Sequence, residues 1–287
     1  MPCAQPIPAW RPANGGPLKF QPPNNGRAYT PINIPCGYCI LCREEYARQT
    51  AVRITHEATR WEQSSFLTLT YNEANIPTYG SLNYEHLTTF WKRLRKRVGK
   101  LRYYAVGEYG DRTLRPHYHA CLFGHAFTEN RVIVKTTPHL LWTTAELDQV
   151  WGHGRVTVGT LNFQTARYTA SYVMKKLRQK QKYVRTDEET GELIPIEQPR
   201  AFMSRNIGRE WWQEWHQQTH DHDYVIIDGR KQKPPRAYDK WTKDKAPEVL
   251  EKIKEKRKTA AVKLTNEQNR ARAENAHARI RNKNKTV

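Results

Sequence analysis

Two strand-length runs joined by a short turn set the first constraint on this chain. Leu101-Arg102-Tyr103-Tyr104-Ala105-Val106-Gly107-Glu108 and His117-Tyr118-His119-Ala120-Cys121-Leu122-Phe123 are rich in aromatic and apolar residues, and Gly110-Asp111-Arg112 lies between them. So short a connection returns the chain, so the two runs pair as antiparallel neighbours. Ser65-Phe66-Leu67-Thr68-Leu69-Thr70-Tyr71, closed by Asn72, predicts another strand, and Leu82 to Val98 predicts an amphipathic helix with a basic face. Helices are expected over Arg43 to Trp61, Leu140 to Trp151 and Thr165 to Gln181, with a strand over Gly154 to Phe163. The fold class expected is α+β, a central antiparallel β-sheet with flanking helices.

Four segments are expected. Residues 1–60 form an N-terminal arm with a cysteine cluster and a helix; its first 35 residues are rich in Pro, Gly and Asn and should run irregularly without a core. Residues 61–183 form the core domain. Residues 184–240 form an extension packed on it, with a short strand at Tyr224-Val225-Ile226-Ile227, and residues 241–287 form a basic tail, part helical and part disordered.

Lysine and arginine number 48 against 28 acidic residues, a net charge of +20 that attracts polyanions. No stretch has the apolar length of a membrane span, and the start has no secretion signal, so a soluble intracellular protein with reduced thiols is expected. The charge alone suits a structural nucleic-acid binder as well as a DNA enzyme.

Chemistry is carried by three groups of residues. His117 and His119, one residue apart on a strand, share a face because strand side chains alternate, and so can share one ion or simply pack. The turn brings Glu108 back toward them, to complete a divalent-ion site or to pair instead with Arg112 or Arg115. Tyr168, Tyr172 and Lys176 recur every four residues on a helix, as a core stripe or as nucleophiles with a supporting cation, Lys175 being the alternative cation. Cys36, Cys39 and Cys42 have CxxC spacing twice over, which suits structural zinc with Cys3 or His56 as a fourth ligand; inert packing or an iron–sulfur site are the alternatives, and Cys121 is expected to be packed. Arg93, Arg95, Lys96, Arg97, Arg115 and Lys175 are candidate DNA phosphate contacts, and Trp211, Trp212 and Trp215 either pack or stack on bases.

Taken in order, Phe66-Leu67-Thr68-Leu69-Thr70-Tyr71, Gly107-Glu108-Tyr109-Gly110, Arg115-Pro116-His117-Tyr118-His119 and Tyr168-Thr169-Ala170-Ser171-Tyr172-Val173-Met174-Lys175-Lys176 resemble the HUH endonucleases. The resemblance is greatest to the replication initiators of microviruses, the small single-stranded DNA phages, particularly the gokushovirus branch. It extends to Pro35-Cys36-Gly37-Tyr38-Cys39-Ile40-Leu41-Cys42-Arg43 and, more loosely, to Pro234-Pro235-Arg236-Ala237-Tyr238-Asp239-Lys240. It implies rolling-circle initiation: nicking of the viral plus strand, a 5′-phosphotyrosine intermediate and rejoining, with Glu108, His117 and His119 holding Mg²⁺ or Mn²⁺ and Tyr168 and Tyr172 exchanging roles. Ser171 stands where relatives often carry lysine, which alters the charge around Tyr172. The implied partners are viral single-stranded and replicative-form DNA with host helicase and polymerase, in the cytoplasm of a bacterial host cell. The rival readings are a non-enzymatic, zinc-stabilised nucleic-acid-binding protein, or an HUH plasmid initiator, relaxase or transposase.

Overall fold

The computed structural model describes residues 3–24, 28–176, 183–262 and 264–283. The elements in chain order are β1 (Ile7–Pro12), β2 (Tyr29–Ile34), α1 (Ile40–Ala58), β3 (Ser64–Tyr71), α2 (Tyr84–Val98), β4 (Arg102–Tyr109), β5 (Pro116–Phe123), β6 (Val132–Lys135), β7 (Leu141–Thr143), α3 (Ala145–Trp151), β8 (Gly154–Gly159) and α4 (Phe163–Lys176). They continue with β9 (Val184–Thr186), β10 (Leu193–Pro195), β11 (Ala201–Met203), α5 (Arg209–His222), β12 (Val225–Ile227), β13 (Arg230–Gln232), α6 (Arg236–Lys245), α7 (Pro247–Thr259) and α8 (Asn266–Lys283). The chain divides into two units, one running up to Tyr46 and resuming at Ala260, the other comprising Ala47–Thr259. No helix among the described residues is long and apolar enough to cross a membrane.

The larger unit is built on a seven-stranded sheet, ordered β11-β4-β5-β3-β8-β7-β6, in which each adjacent pair is antiparallel. The expected α+β class, a central antiparallel sheet flanked by helices, is the one observed. Period-two alternation divides each central strand between two cores. Leu67, Leu69, Tyr118, Ala120, Leu122, Val156 and Val158 face α2 and α3, whose Leu87, Phe90, Trp91, Leu94, Leu147 and Trp151 cover them. Tyr104, Val106, Cys121 and Phe123 face the other way, against Ala51 and Ile54 of α1, Ala166 and Ala170 of α4, Trp212 of α5 and Tyr238 and Trp241 of α6. Cys121 is therefore packed, as expected.

Gly107 permits one close approach in the first core: a Cβ there would lie 2.8 Å from the Tyr84 ring. Gly154, at φ +153°, lets β8 begin against β3, where a Cβ would meet the Thr70 carbonyl oxygen at 2.3 Å.

Three expectations are corrected. The N-terminal arm is not wholly irregular, because β1 and β2 form a hairpin with Ile7 opposite Ile34 and Pro12 opposite Tyr29. The helix expected over Leu140 to Trp151 is a strand and a shorter helix. Trp142 pairs with Val158 and its indole donates to the Phe127 carbonyl at 2.7 Å, while the Thr144 hydroxyl caps α3 by accepting from the Leu147 amide. The strand expected to reach Phe163 stops at Gly159, and α4 starts at Phe163; the stretch expected to carry that helix to Gln181 lies outside the described residues beyond Lys176.

Past residue 183 the chain is integrated more closely than its composition predicts. β11 adds to the sheet edge beside β4, and the Tyr84 hydroxyl donates to the Gln198 carbonyl at 2.7 Å and accepts from the Arg200 amide at 3.0 Å. Buried Leu250 and Ile253 lie on α7, and Arg257 forms a double hydrogen bond to Asp223 and another to Asp239.

The fully buried Tyr118 hydroxyl ties β5 to the start of α2, donating to the Asn83 carbonyl at 2.6 Å and accepting from the Asn83 amide at 2.9 Å. Tyr118→Phe leaves both backbone groups unpaired, and we expect a loss of about 1–3 kcal/mol in urea unfolding, with divalent-ion binding retained. Unchanged stability would show that Asn83 finds other partners.

Candidate active site

The register of β4 on β5 places Glu108 directly opposite His117 and Val106 opposite His119. Because alternate residues share a face, Glu108, His117 and His119 all lie on the side of the sheet covered by α4. The Glu108 Oε1 is 2.7 Å from His117 Nε2 and 3.5 Å from His119 Nε2, and one ligand atom from each residue lies within 4.8 Å of the others. Glu108 and His119 are buried, and His117 is partly exposed.

The far nitrogen of each imidazole is held in place. His117 Nδ1 lies 3.1 Å from the Arg115 carbonyl oxygen, which only accepts, so Nδ1 carries the proton and donates it. His119 Nδ1 pairs with the Thr68 hydroxyl at 3.0 Å, and the Phe66 ring stacks on the same imidazole at 5.5 Å. This is the outer support that metal-binding histidines ordinarily have. His119 Nε2 and Glu108 Oε2 are buried without a hydrogen-bond partner, the state expected of ligand atoms aimed at an ion. Burial would raise the Glu108 carboxyl, but the hydrogen bond from His117 and the proximity of both imidazoles outweigh it and hold the pKa below its ordinary value. Burial lowers that of His119, despite Glu108, and favours the neutral imidazole that coordinates metals.

Helix α4 brings two phenol rings to the same place. The Tyr168 ring stands edge-on to His119 at 5.3 Å, the Tyr172 ring stacks on His119 at 5.5 Å, and the two phenols meet edge to face at 4.6 Å. Tyr168 is 45% exposed, whereas Tyr172 packs partly into the core beneath it. Burial, then Glu108, raises the Tyr172 phenol above its ordinary range; burial raises that of Tyr168 too, against a hydrogen bond from Tyr172. A cation at the triad opposes the Glu108 contribution. The Lys175 and Lys176 side chains lie outside the described residues.

Other candidates are placed apart. Arg93, Arg95, Lys96 and Arg97 are exposed on α2, which covers the sheet face opposite to the triad, so they do not line the site. The Arg115 guanidinium pairs with Glu73 and donates to the Tyr71 carbonyl, leaving Glu108 to the histidines. His56 is not a cysteine partner: its Nδ1 meets the Tyr238 hydroxyl at 2.6 Å and its ring stacks on Trp211 at 3.4 Å. Trp212 is buried, Trp211 packs against the core, and Trp215 remains 37% exposed. Cys3 joins Cys36, Cys39 and Cys42 in a second group able to hold an ion. Sequence reasoning missed Thr68 and Phe66 as supports of His119, although their shared parity on β3 was a usable signal.

Residues 64–177 match the family model described as replication-associated protein ORF2/G2P, a span that takes in the triad and both tyrosines. The chain is 29% identical over 281 residues to the replication-associated protein VP4 of Bdellovibrio phage phiMH2K, covering 94% of this chain and 86% of the relative. It is 30% identical over 247 residues to the replication-associated protein ORF2 of Spiroplasma virus 4, covering 80% and 74%. With the replication-associated protein ORF4 of Chlamydia phage 1 it shares 31% identity over 153 residues, half of this chain and 38% of the relative. No solved structure matches the chain. The likeness to phage replication initiators read from the motifs is borne out: the chain belongs to the ORF2/G2P family of replication-associated proteins.

Proposed function

We propose that this chain is a rolling-circle replication initiator of a single-stranded DNA phage, an HUH-type enzyme that nicks the viral plus strand through tyrosine and later rejoins it. The observation that carries the reading is the meeting, on one sheet face, of the Glu108–His117–His119 group with the paired phenols of α4. Two imidazoles and one carboxylate suit a divalent ion, and three protein ligands leave positions for phosphate oxygens. Mg²⁺ or Mn²⁺ held there would polarise the scissile phosphate and offset the charge that develops on it.

The chain's own groups supply the rest. One tyrosine hydroxyl gives up its proton and its oxygen attacks phosphorus. The bond to the 3′ oxygen breaks, the departing oxygen takes up a proton, and the 5′ phosphate remains as a tyrosine ester. A phosphodiester is exchanged for a phosphodiester, so the bond energy is retained for rejoining. The second tyrosine, one helical turn away and in ring contact with the first, would repeat the exchange on the regenerated junction. With an ion on its Nε2, His119 would carry its proton on Nδ1 and donate it to Thr68, while His117 donates to the Arg115 carbonyl. The net charge of +20 holds the DNA through its phosphates.

Incubation with Mn²⁺ and labelled single-stranded DNA tiling the viral genome should yield a protein–DNA adduct that survives denaturation; its absence across all tiles would exclude the enzymatic reading and favour a non-enzymatic binder. Tyr168→Phe with Tyr172→Phe should reduce adduct by on the order of 10³-fold or more. Nicking that survives this double change would mean that the nucleophile lies elsewhere.

His117→Ala should lower metal-dependent nicking by about 10²-fold or more while leaving salt-dependent DNA affinity largely intact. Thr68→Val, a change in the support of His119, should weaken Mn²⁺ binding by about 10- to 100-fold in calorimetry with the fold unchanged. An unaltered Mn²⁺ affinity would refute the positioning role of Thr68.

A further inference from the structure

The smaller unit has hardly any hydrophobic core. Among the described residues up to Tyr46, the buried cluster consists of Cys3, Cys36 and Cys42, with only Ile7 and Cys39 packed against it. So small a module cannot offset its chain entropy by burying apolar area, and modules of this size are usually held by disulfides or a metal. A disulfide is not what these cysteines form. All are free thiols, and the Cys3 and Cys36 sulfurs lie 3.6 Å apart, far beyond the roughly 2.05 Å of a sulfur–sulfur bond.

We propose that Cys3, Cys36, Cys39 and Cys42 bind one structural Zn²⁺, and that this ion takes the place of a hydrophobic core in the N-terminal unit. The spacing suits a tetrahedral site. Sulfurs about 2.3 Å from a central zinc sit about 3.8 Å from one another, and the observed Cys3–Cys36 and Cys3–Cys39 separations are 3.6 and 3.9 Å. All four sulfurs lie within 4.8 Å of each other, too close for thiolates that each bind a different iron of a four-iron cluster.

The backbone is arranged for thiolate ligands. The Cys36 amide donates to the Cys3 sulfur at 3.3 Å, the Cys39 amide to the Cys36 sulfur at 3.3 Å, and the Ala4 amide to the Cys39 sulfur at 3.4 Å. Such bonds stabilise sulfur as an anion. Binding releases the protons of the four thiols, and no redox partner is needed.

The position of the ligands assigns the ion a task. Cys3 lies just before β1 and Cys36 just after β2, so the ion closes the open end of the hairpin next to the Ile7–Ile34 pair. Cys39 and Cys42 bracket the start of α1, so the same ion fastens the hairpin to the first turn of that helix. A two-stranded hairpin alone is marginal in water, and the clamp supplies what its side chains do not.

The full-length protein, purified without chelator, should contain one zinc per chain by elemental mass spectrometry. That zinc should persist in the His117→Ala, His119→Ala variant and be lost in Cys3→Ser. Because Cys3→Ser could misfold, the native protein is also titrated with a mercurial reagent, which should release one zinc as the four thiols react. Cobalt replacement should give the charge-transfer and visible bands of a tetrahedral tetrathiolate. In hydrogen exchange, stripping the zinc should abolish protection of the Ile7–Pro12 and Tyr29–Ile34 amides while the β3–β5 amides stay protected. Iron in place of zinc, a chain free of metal, or hairpin protection that survives complete removal of zinc would each overturn the proposal. None of these readouts depends on DNA nicking, so failure here and failure of the nicking reading are separable.

Discussion

The pairing register between β4 and β5 is the constraint on which the candidate site rests. With Glu108 opposite His117, the alternation of the strands delivers a carboxylate and two imidazoles to one face, and Tyr118, Ala120 and Leu122 to the other. A slip of one residue would turn the histidines into the α2 core and bring Tyr118 out beneath α4. The register is pinned on both strands by the start of α2. Tyr118 is bonded to Asn83 at the start of α2, and Gly107 leaves room for the Tyr84 ring to lie on β4. The same packing that stabilises the sheet therefore aims the triad.

That aim has an energetic cost. His119 Nε2 and Glu108 Oε2 are buried without partners, and each such atom costs about 1–3 kcal/mol when nothing fills its valence. The two cores flanking the sheet are extensive enough to carry that cost, since β3, β5 and β8 are covered by helices on one side and β4 and β5 on the other. Sites that do chemistry commonly break a packing rule in this way. The phenols follow the same logic. They are held above their ordinary pKa by burial and by Glu108, and a cation at the triad changes the sign of the local field.

Two solutions to stability coexist along one chain. The unit Ala47–Thr259 uses apolar burial reinforced by a few charged networks, among them buried Glu57, which accepts from the Gly208 amide at 2.7 Å and meets Arg102 at 3.1 Å. The N-terminal unit has cysteines where a core would be. The division explains why the first 35 residues look structureless when read for hydrophobic pattern: their order comes from hairpin pairing and thiols, which leave no apolar period to detect.

Much of the central fold was legible because it is written locally. Strand parity placed His117 and His119 on one face, the short turn returned Glu108 to them, and four-residue spacing put Tyr168 and Tyr172 on one side of a helix. Leu141-Trp142-Thr143 was misread because only its pairing with β6 on one side and β8 on the other distinguishes so short a strand from a helical turn. That the basic residues of α2 lie on the side of the sheet away from the triad was not legible for a similar reason: a helix pattern reveals which face is polar, but not which side of the sheet the helix will cover. By itself, then, the sequence determined which side chains point together within each strand and helix, because that follows from backbone periodicity. Only the tertiary structure decided that α4 lies over the histidines while α2 lies behind them, that Thr68 holds His119, and that Cys3 rather than His56 joins the cysteine group, because each depends on contacts between residues distant in the chain.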